Sequence, residues 1–158
     1  MKPGMDVYRA GPEAIKALSA LQILLQDSGL EQSLIELVKT HVSWINGCGF
    51  YTSRHSRDAC EHSEAEERLY GLDAWREGPF YTDRERSALA WAEAVTLVSE
   101  THTPDDVYDE VRKHFSEADT MNLTMLIATI NVWNWLVVSF RAVPTKPPSV
   151  SISSCSFD

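Results

Sequence analysis

Apolar residues recur along this chain at intervals of three and four, the helical period, and rarely alternate in the two-residue rhythm of a half-buried strand. Pro12 after Gly11 suits a first helical position, and Ile15, Leu18, Gln22 and Leu25 then fall on one side until Gly29 closes the helix. Ser33 with Glu36 fits a capping box opening a second helix, in which Leu34, Leu37, Val38, His41 and Ile45 repeat as far as Gly47. A third helical segment follows from Cys48 to about His62. Ser63 with Glu66 starts a short fourth helix ending at Gly71, and a loop with Trp75, Gly78 and Pro79 leads to a fifth, from Thr82 with Glu85 to about Glu100. Thr103-Pro104 reads as an N-cap and first-turn pair, followed by the stripe Val107, Tyr108, Val111 and Phe115. A last helix begins near Asp119 and stops before Pro144. The pattern predicts one all-α, bundle-like domain of about seven helices over residues 1–143, with a mobile Pro- and Ser-rich tail over 144–158.

Composition narrows what such a bundle does. With 158 residues, 44% of them hydrophobic, the chain is the size of one domain with a real core. Fourteen Lys and Arg against 23 Asp and Glu give a net charge of −9, a field that repels nucleic acid and anionic lipid, so neither is expected as a partner. Met121 to Phe140 runs 20 residues without a charge, long enough to span a bilayer. Asn122, Thr124, Thr129, Asn131, Asn134 and Ser139 interrupt it, and we read it as a core or oligomer-centre helix. Asn131 and Asn134, one turn apart, read as a helix-pairing contact in an oligomer. Three cysteines, Cys48, Cys60 and Cys155, and an N-terminus without an apolar h-region point to a reducing cytoplasm. Five histidines without metal-ligand spacing give no support for a metal, and no phosphate loop is seen.

On a helix from residue 48, Cys48, Tyr51 and His55 share a face, putting a thiol, a phenol and an imidazole along one groove. A thiol at a helix N-terminus beside an imidazole is expected to have a lowered pKa, making it a nucleophile or proton donor. The bland alternative is that all three are core residues. Glu36 is accounted for by its capping box, and acts on Cys48 only if a neighbouring helix or subunit covers it.

Glu36-Leu37-Val38, Ile45-Asn46-Gly47-Cys48, His55-Ser56-Arg57-Asp58-Ala59, Glu67-Arg68-Leu69-Tyr70, Ala74-Trp75-Arg76-Glu77, Thr82 to Glu93, Val107 to Ser116 and Ile130 to Asn134 together resemble the AhpD-like, carboxymuconolactone decarboxylase family. The resemblance implies a helical subunit forming homotrimers or homohexamers, with a small pocket near subunit contacts. It also implies that Glu36, Cys48 and His55 match the glutamate, first cysteine and histidine of the proton relay in the family's redox members. The second cysteine of the family's Cys-x-x-Cys pair is Tyr51 here. Cys60, about 18 Å along a continuous helix from Cys48, cannot replace it. Lys39-Thr40-His41 and Trp44 stand where Arg and Gln-like residues are expected, and Trp44 and Phe50 are expected to line the substrate pocket.

Three functions follow as expectations. The first is a cofactor-free acid/base enzyme acting on a small carbonyl or carboxylate compound, with Glu36, Tyr51, His55 and Cys48 as its catalytic groups. The second is a one-cysteine, thiol-dependent alkylhydroperoxidase. The third is a non-catalytic scaffold, which requires a pocket filled by Trp44, Phe50 and Tyr51.

Overall fold

The computed structural model describes residue 2, residues 4–52, residue 54 and residues 66–142. It is all-helical, as the periodicity predicts. In chain order the elements are α1 (Val7–Ala10), α2 (Pro12–Gln26), α3 (Gln32–Ile45), α4 (Glu66–Tyr70), a 3-10 turn at Leu72–Ala74, α5 (Asp83–Thr96), α6 (Val98–Thr101), α7 (Asp105–His114) and α8 (Glu117–Ser139). Residues 49–52 and 54 are also helical. Among the described residues the count exceeds seven because α1 and α6 are single turns, too short for any period to register. Leu97, with φ −100° and ψ 32°, separates α5 from α6, which the apolar pattern runs together. The predicted tail, His55, His62, Cys60 and Cys155 lie outside the described residues.

α3 is the axis of the bundle. Leu34 through Ser43, ten residues in a row, are buried. A helix covered all round must be enclosed by neighbours, and α5 and α8 pack along it, with α2 against α8 and α7 against α5. Ile35, Val38 and Val42 enter the main core with Ile127, Ile130, Leu126 and Trp133 of α8 and Ala88, Trp91 and Ala92 of α5. On the opposite side Leu37 meets Leu72, Trp75, Tyr81 and Leu89 in a second cluster. Each fully buried aliphatic side chain here contributes roughly 1.5–3 kcal/mol.

The capping predictions divide. Thr82 and Glu85 form both halves of a capping box on α5. Ser33 does not cap α3: the helix starts two residues earlier than that box requires, with Glu31 as N-cap and no side-chain cap, so Glu36 is released to turn inward. Pro104, not Thr103, is the N-cap of α7, and Thr103 takes the left-handed φ of 51°. The polar residues of α8 also act differently from expectation. Asn131 accepts from Asn46 Nδ2 at 2.7 Å and donates to Thr96 at 3.2 Å, while Asn134 accepts from Ser43 at 3.3 Å. These bonds lock α8 to α3 and α5 within one chain rather than across subunits, because α3 passes alongside and supplies the partners. By length and composition α8 is apolar enough to cross a membrane; one side of it, with Leu123, Ile127 and Ile130, is buried against the other helices.

Candidate active site

The end of α3 sets the position of Cys48. Asn46 is the C-cap, and Gly47 follows in the left-handed region at φ 62°. Gly47 N–H donates to Trp44 O and Cys48 N–H to Ser43 O, both at 2.9 Å, the paired bonds of a Schellman motif. The reversal delivers Cys48 to the first turn of the next helical segment, where Thr52 N–H bonds Cys48 O at 2.9 Å. The backbone N–H groups of Phe50 and Tyr51 face the thiol and favour its ionised form, but burial is the larger effect and pushes the thiol above its ordinary value. This reverses the lowered pKa expected from position alone. Cys48 is 1% exposed, inside the apolar core beside Tyr51, where an anion has lost its water.

Tyr51 faces outward from that core into a pocket of about 310 Å³ lined also by Glu36, Lys39, Arg54, Tyr8, Ser19, Gln22, Ile130 and Trp133 among others. Its ring packs against Phe50, with centroids 5.0 Å apart, and Trp133 at 6.4 Å; its hydroxyl is hydrogen-bonded with Tyr8. Tyr8 in turn stacks on Trp133 at 6.5 Å. Burial first, then Tyr8, hold the Tyr51 phenol far above its ordinary pKa, against the opposing pull of Arg54. At neutral pH it is therefore a hydrogen-bond donor.

Glu36 is 3% exposed and reaches this pocket from α3. Its Oε1 accepts from Lys39 Nζ and from Gln32 Nε2, each at 2.9 Å. Lys39, 2% exposed, is itself a pocket wall. A buried carboxylate next to a buried ammonium keeps both charges where either alone would be expelled.

The structure thus brings Glu36 and Tyr51 into one pocket, with Cys48 behind Tyr51 and not among the lining side chains. Neither Trp44 nor Phe50 lines it: Trp44 packs against the Leu37 and Trp75 cluster on the far side of α3, and Phe50 against Tyr51. His55 lies outside the described residues. Sequence reading passed over Tyr8 and Trp133 as site residues. A one-turn α1 carries no periodic signal, and Trp133 belongs to a helix apolar on nearly every side. Lys39 did carry a signal, a charge between Val38 and Val42 in an otherwise buried helix. Among the described residues no group of three or more His, Cys, Asp or Glu side chains is placed to hold a metal.

Comparison with known proteins identifies the frame. The profile of the carboxymuconolactone decarboxylase family matches residues 12–94. YdfG, an uncharacterised protein of Bacillus subtilis strain 168, is 34% identical over 139 residues, 88% of this chain and 95% of its own. A crystal structure from Agrobacterium tumefaciens, of a protein of unknown function whose description ties it to AhpD antioxidant defence, superposes with a TM-score of 0.88 at 39% identity. That match covers 92% of this chain and 99% of the other. A peroxidase-related protein of Ralstonia eutropha JMP134 with an alkylhydroperoxidase AhpD core superposes at 0.77 over 88% of this chain and 74% of its own. At 18% identity that likeness is one of fold. With Glu36 and Tyr51 placed in a single pocket and Cys48 in the core behind Tyr51, and relatives matching along nearly the whole chain, this protein belongs to the carboxymuconolactone decarboxylase family in its AhpD-like helical form.

Proposed function

We propose that the chain is a cofactor-free acid/base enzyme that acts on a small carbonyl or carboxylate compound in the pocket between α2, α3, α8 and the helical turn carrying Tyr51. The observation that carries this reading is that Glu36 and Tyr51 line one pocket while the thiol is sealed in the core with its pKa raised. Glu36 exchanges a proton with the carbon next to the carbonyl. Tyr51, still protonated at neutral pH, donates a hydrogen bond to the enolate-like oxygen that develops. His55 stands at the family's histidine position and is assigned the proton transfer between the pocket and solvent. Cys48 supports Tyr51 from the core side and is held in reserve as a proton donor. An open pocket beside Glu36 and Tyr51 favours this over a scaffold role, which needs the space filled.

The competing reading, a peroxidase using Cys48 and an external thiol, draws on the relatives' AhpD-type names, and one set of variants separates the two. Small β-keto acids and lactones are offered alongside an organic hydroperoxide with dithiothreitol, and consumption is followed by NMR. Glu36→Gln and Tyr51→Phe each lower turnover of a carbonyl substrate by about 10²-fold or more, in the range of general acid/base contributions. Cys48→Ser stays within a few-fold of the parent. Hydroperoxide consumption that vanishes in Cys48→Ser, with a dimedone adduct on Cys48, would instead establish the peroxidase.

A further inference from the structure

The N-terminal turn α1 reaches the pocket through one side chain. Tyr8 lines it yet is 58% exposed, so it stands at the mouth, while Tyr51, 5% exposed, stands inside. Packing holds α1 weakly. None of its four residues is buried, and Asp6, which accepts from the Tyr8 and Arg9 N–H groups as N-cap, is exposed. Beneath the turn, between α2 and α8, lies a cavity of about 610 Å³ walled by apolar residues, among them Met5, Val7, Leu18, Leu21, Val132 and Leu136. A side chain that faces a void has no partner atoms on that side, so α1 gains little from standing over it. The ends of the segment are better fixed. Gly4 runs so close to Phe140 O at the end of α8 that a Cβ there would lie 1.9 Å away, and Gly11 leads directly into α2. The middle is fastened by Tyr8, which stacks on Trp133 and shares a hydrogen bond with Tyr51.

We infer that residues 4–11 form a strap over the mouth of the pocket, closed by the Tyr8–Tyr51 hydrogen bond and opened by swinging α1 about Gly11. This rests on the pocket being the substrate site proposed above, and it supplies the movement that admits substrate. In the closed form the Tyr51 hydroxyl is occupied: the bond favours the protonated phenol, so Tyr51 is its donor, and a phenol has one hydrogen to give. A substrate oxygen that takes this hydrogen must displace Tyr8. Opening breaks one neutral hydrogen bond and one ring contact, and it uncovers no buried residue of α1. Segments held this lightly belong to the low-stability end of a fold, from which lids are drawn, and they move without the bundle unfolding. Tyr8 is a positioning residue in this scheme, orienting the Tyr51 hydroxyl when the strap is closed and releasing it when the strap lifts.

Hydrogen exchange on the full chain, read by mass spectrometry, tests the strap. The amides of residues 8–11, bonded to Asp6 and Val7, exchange at least about a hundredfold faster than those in the middle of α3. Tyr8→Phe keeps the ring, removes the bond and, at so exposed a residue, leaves the core intact. It speeds exchange in α1 by about two- to tenfold, the contribution of one neutral hydrogen bond, and leaves α3 and α5 unchanged. Tyr51→Phe gives the same acceleration, and the double variant gives no more than either, because both substitutions remove one shared bond. Hydroxyl-radical oxidation of Trp133, 4% exposed beneath Tyr8, rises by about the same two- to tenfold in Tyr8→Phe. Protection of α1 equal to that of α3, additive accelerations in the double variant, or a Tyr8→Phe variant that changes neither exchange nor Trp133 oxidation overturns the inference. Neither measurement involves turnover. A strap that opens as described in a protein whose Glu36→Gln variant keeps full turnover would remove the acid/base mechanism and leave the strap standing, so the two failures are distinct.

Discussion

Glu93 sits where α3, α5 and the turn carrying Trp75 meet, and it gathers donors from all three. Its Oε1 accepts from His41 Nε2 at 3.2 Å, Trp75 Nε1 at 2.8 Å and Arg76 Nη1 at 3.0 Å, and its Oε2 from Arg76 Nη2. The Arg76 guanidinium also lies over the Trp75 ring, 4.3 Å from its centroid. Burial by itself raises this carboxyl, but the bonds from His41, Arg76 and Trp75 outweigh it and hold the pKa at about 2. A folded-state value below the unfolded one contributes stability that is fully present above the unfolded value near 4.5 and is lost as pH falls toward 2. The urea midpoint of the parent therefore drops across that window, and Glu93→Gln loses about 3 kcal/mol at neutral pH while flattening the acid limb. Parallel pH profiles for the two proteins would show that the contribution is not there.

At the scale of elements, a few residues decide where the chain turns, and Gly47 matters most to the site. Its φ of 62° is the left-handed conformation that permits both bonds closing α3, and those bonds aim Cys48 and Tyr51 into the bundle. A side chain there meets no neighbour, so the cost of Gly47→Ala is backbone strain alone, about 1–2 kcal/mol. The loss is read as a lower urea midpoint, and Asn46→Ala at the C-cap serves as a control that removes the Asn131 bond without touching the turn. A Gly47→Ala variant as stable as the parent would mean that the reversal does not need the left-handed residue. Gly4 answers to a different constraint. A Cβ on it would lie 1.9 Å from Phe140 O at the end of α8, so the N-terminal strand of chain passes there only because glycine has no side chain.

Over the whole molecule, the surface keeps apolar side chains that a lone bundle has no use for. Ile23 and Leu24 of α2 are 61% and 62% exposed, and Met121, Trp135 and Val138 of α8 are 59%, 57% and 52%. We propose that these faces are covered by self-association, in keeping with the trimers or hexamers that the family resemblance implies. Light scattering on the eluting protein then returns three or six times the chain mass, and Trp135→Glu shifts it toward that of a single chain. A parent protein that elutes as a single chain would refute the proposal.

The sequence by itself determined the helical class, the starts of α2 and α5, the turn at Gly47 and the family frame around Glu36, Cys48 and Tyr51. Those depend on spacing, caps and local backbone preferences, which act over a few residues. Tertiary structure alone decided which side of α3 faces the pocket, because a helix buried on every side carries no polar stripe to orient it. Enclosure by α5 and α8 turned Glu36 from a capping residue into the buried partner of Lys39, sent Trp44 to the opposite cluster, and brought Tyr8 and Trp133 over Tyr51. It also raised the Cys48 thiol when position alone argued for lowering it, since desolvation depends on what surrounds a group in space, and its neighbours in sequence cannot reveal that.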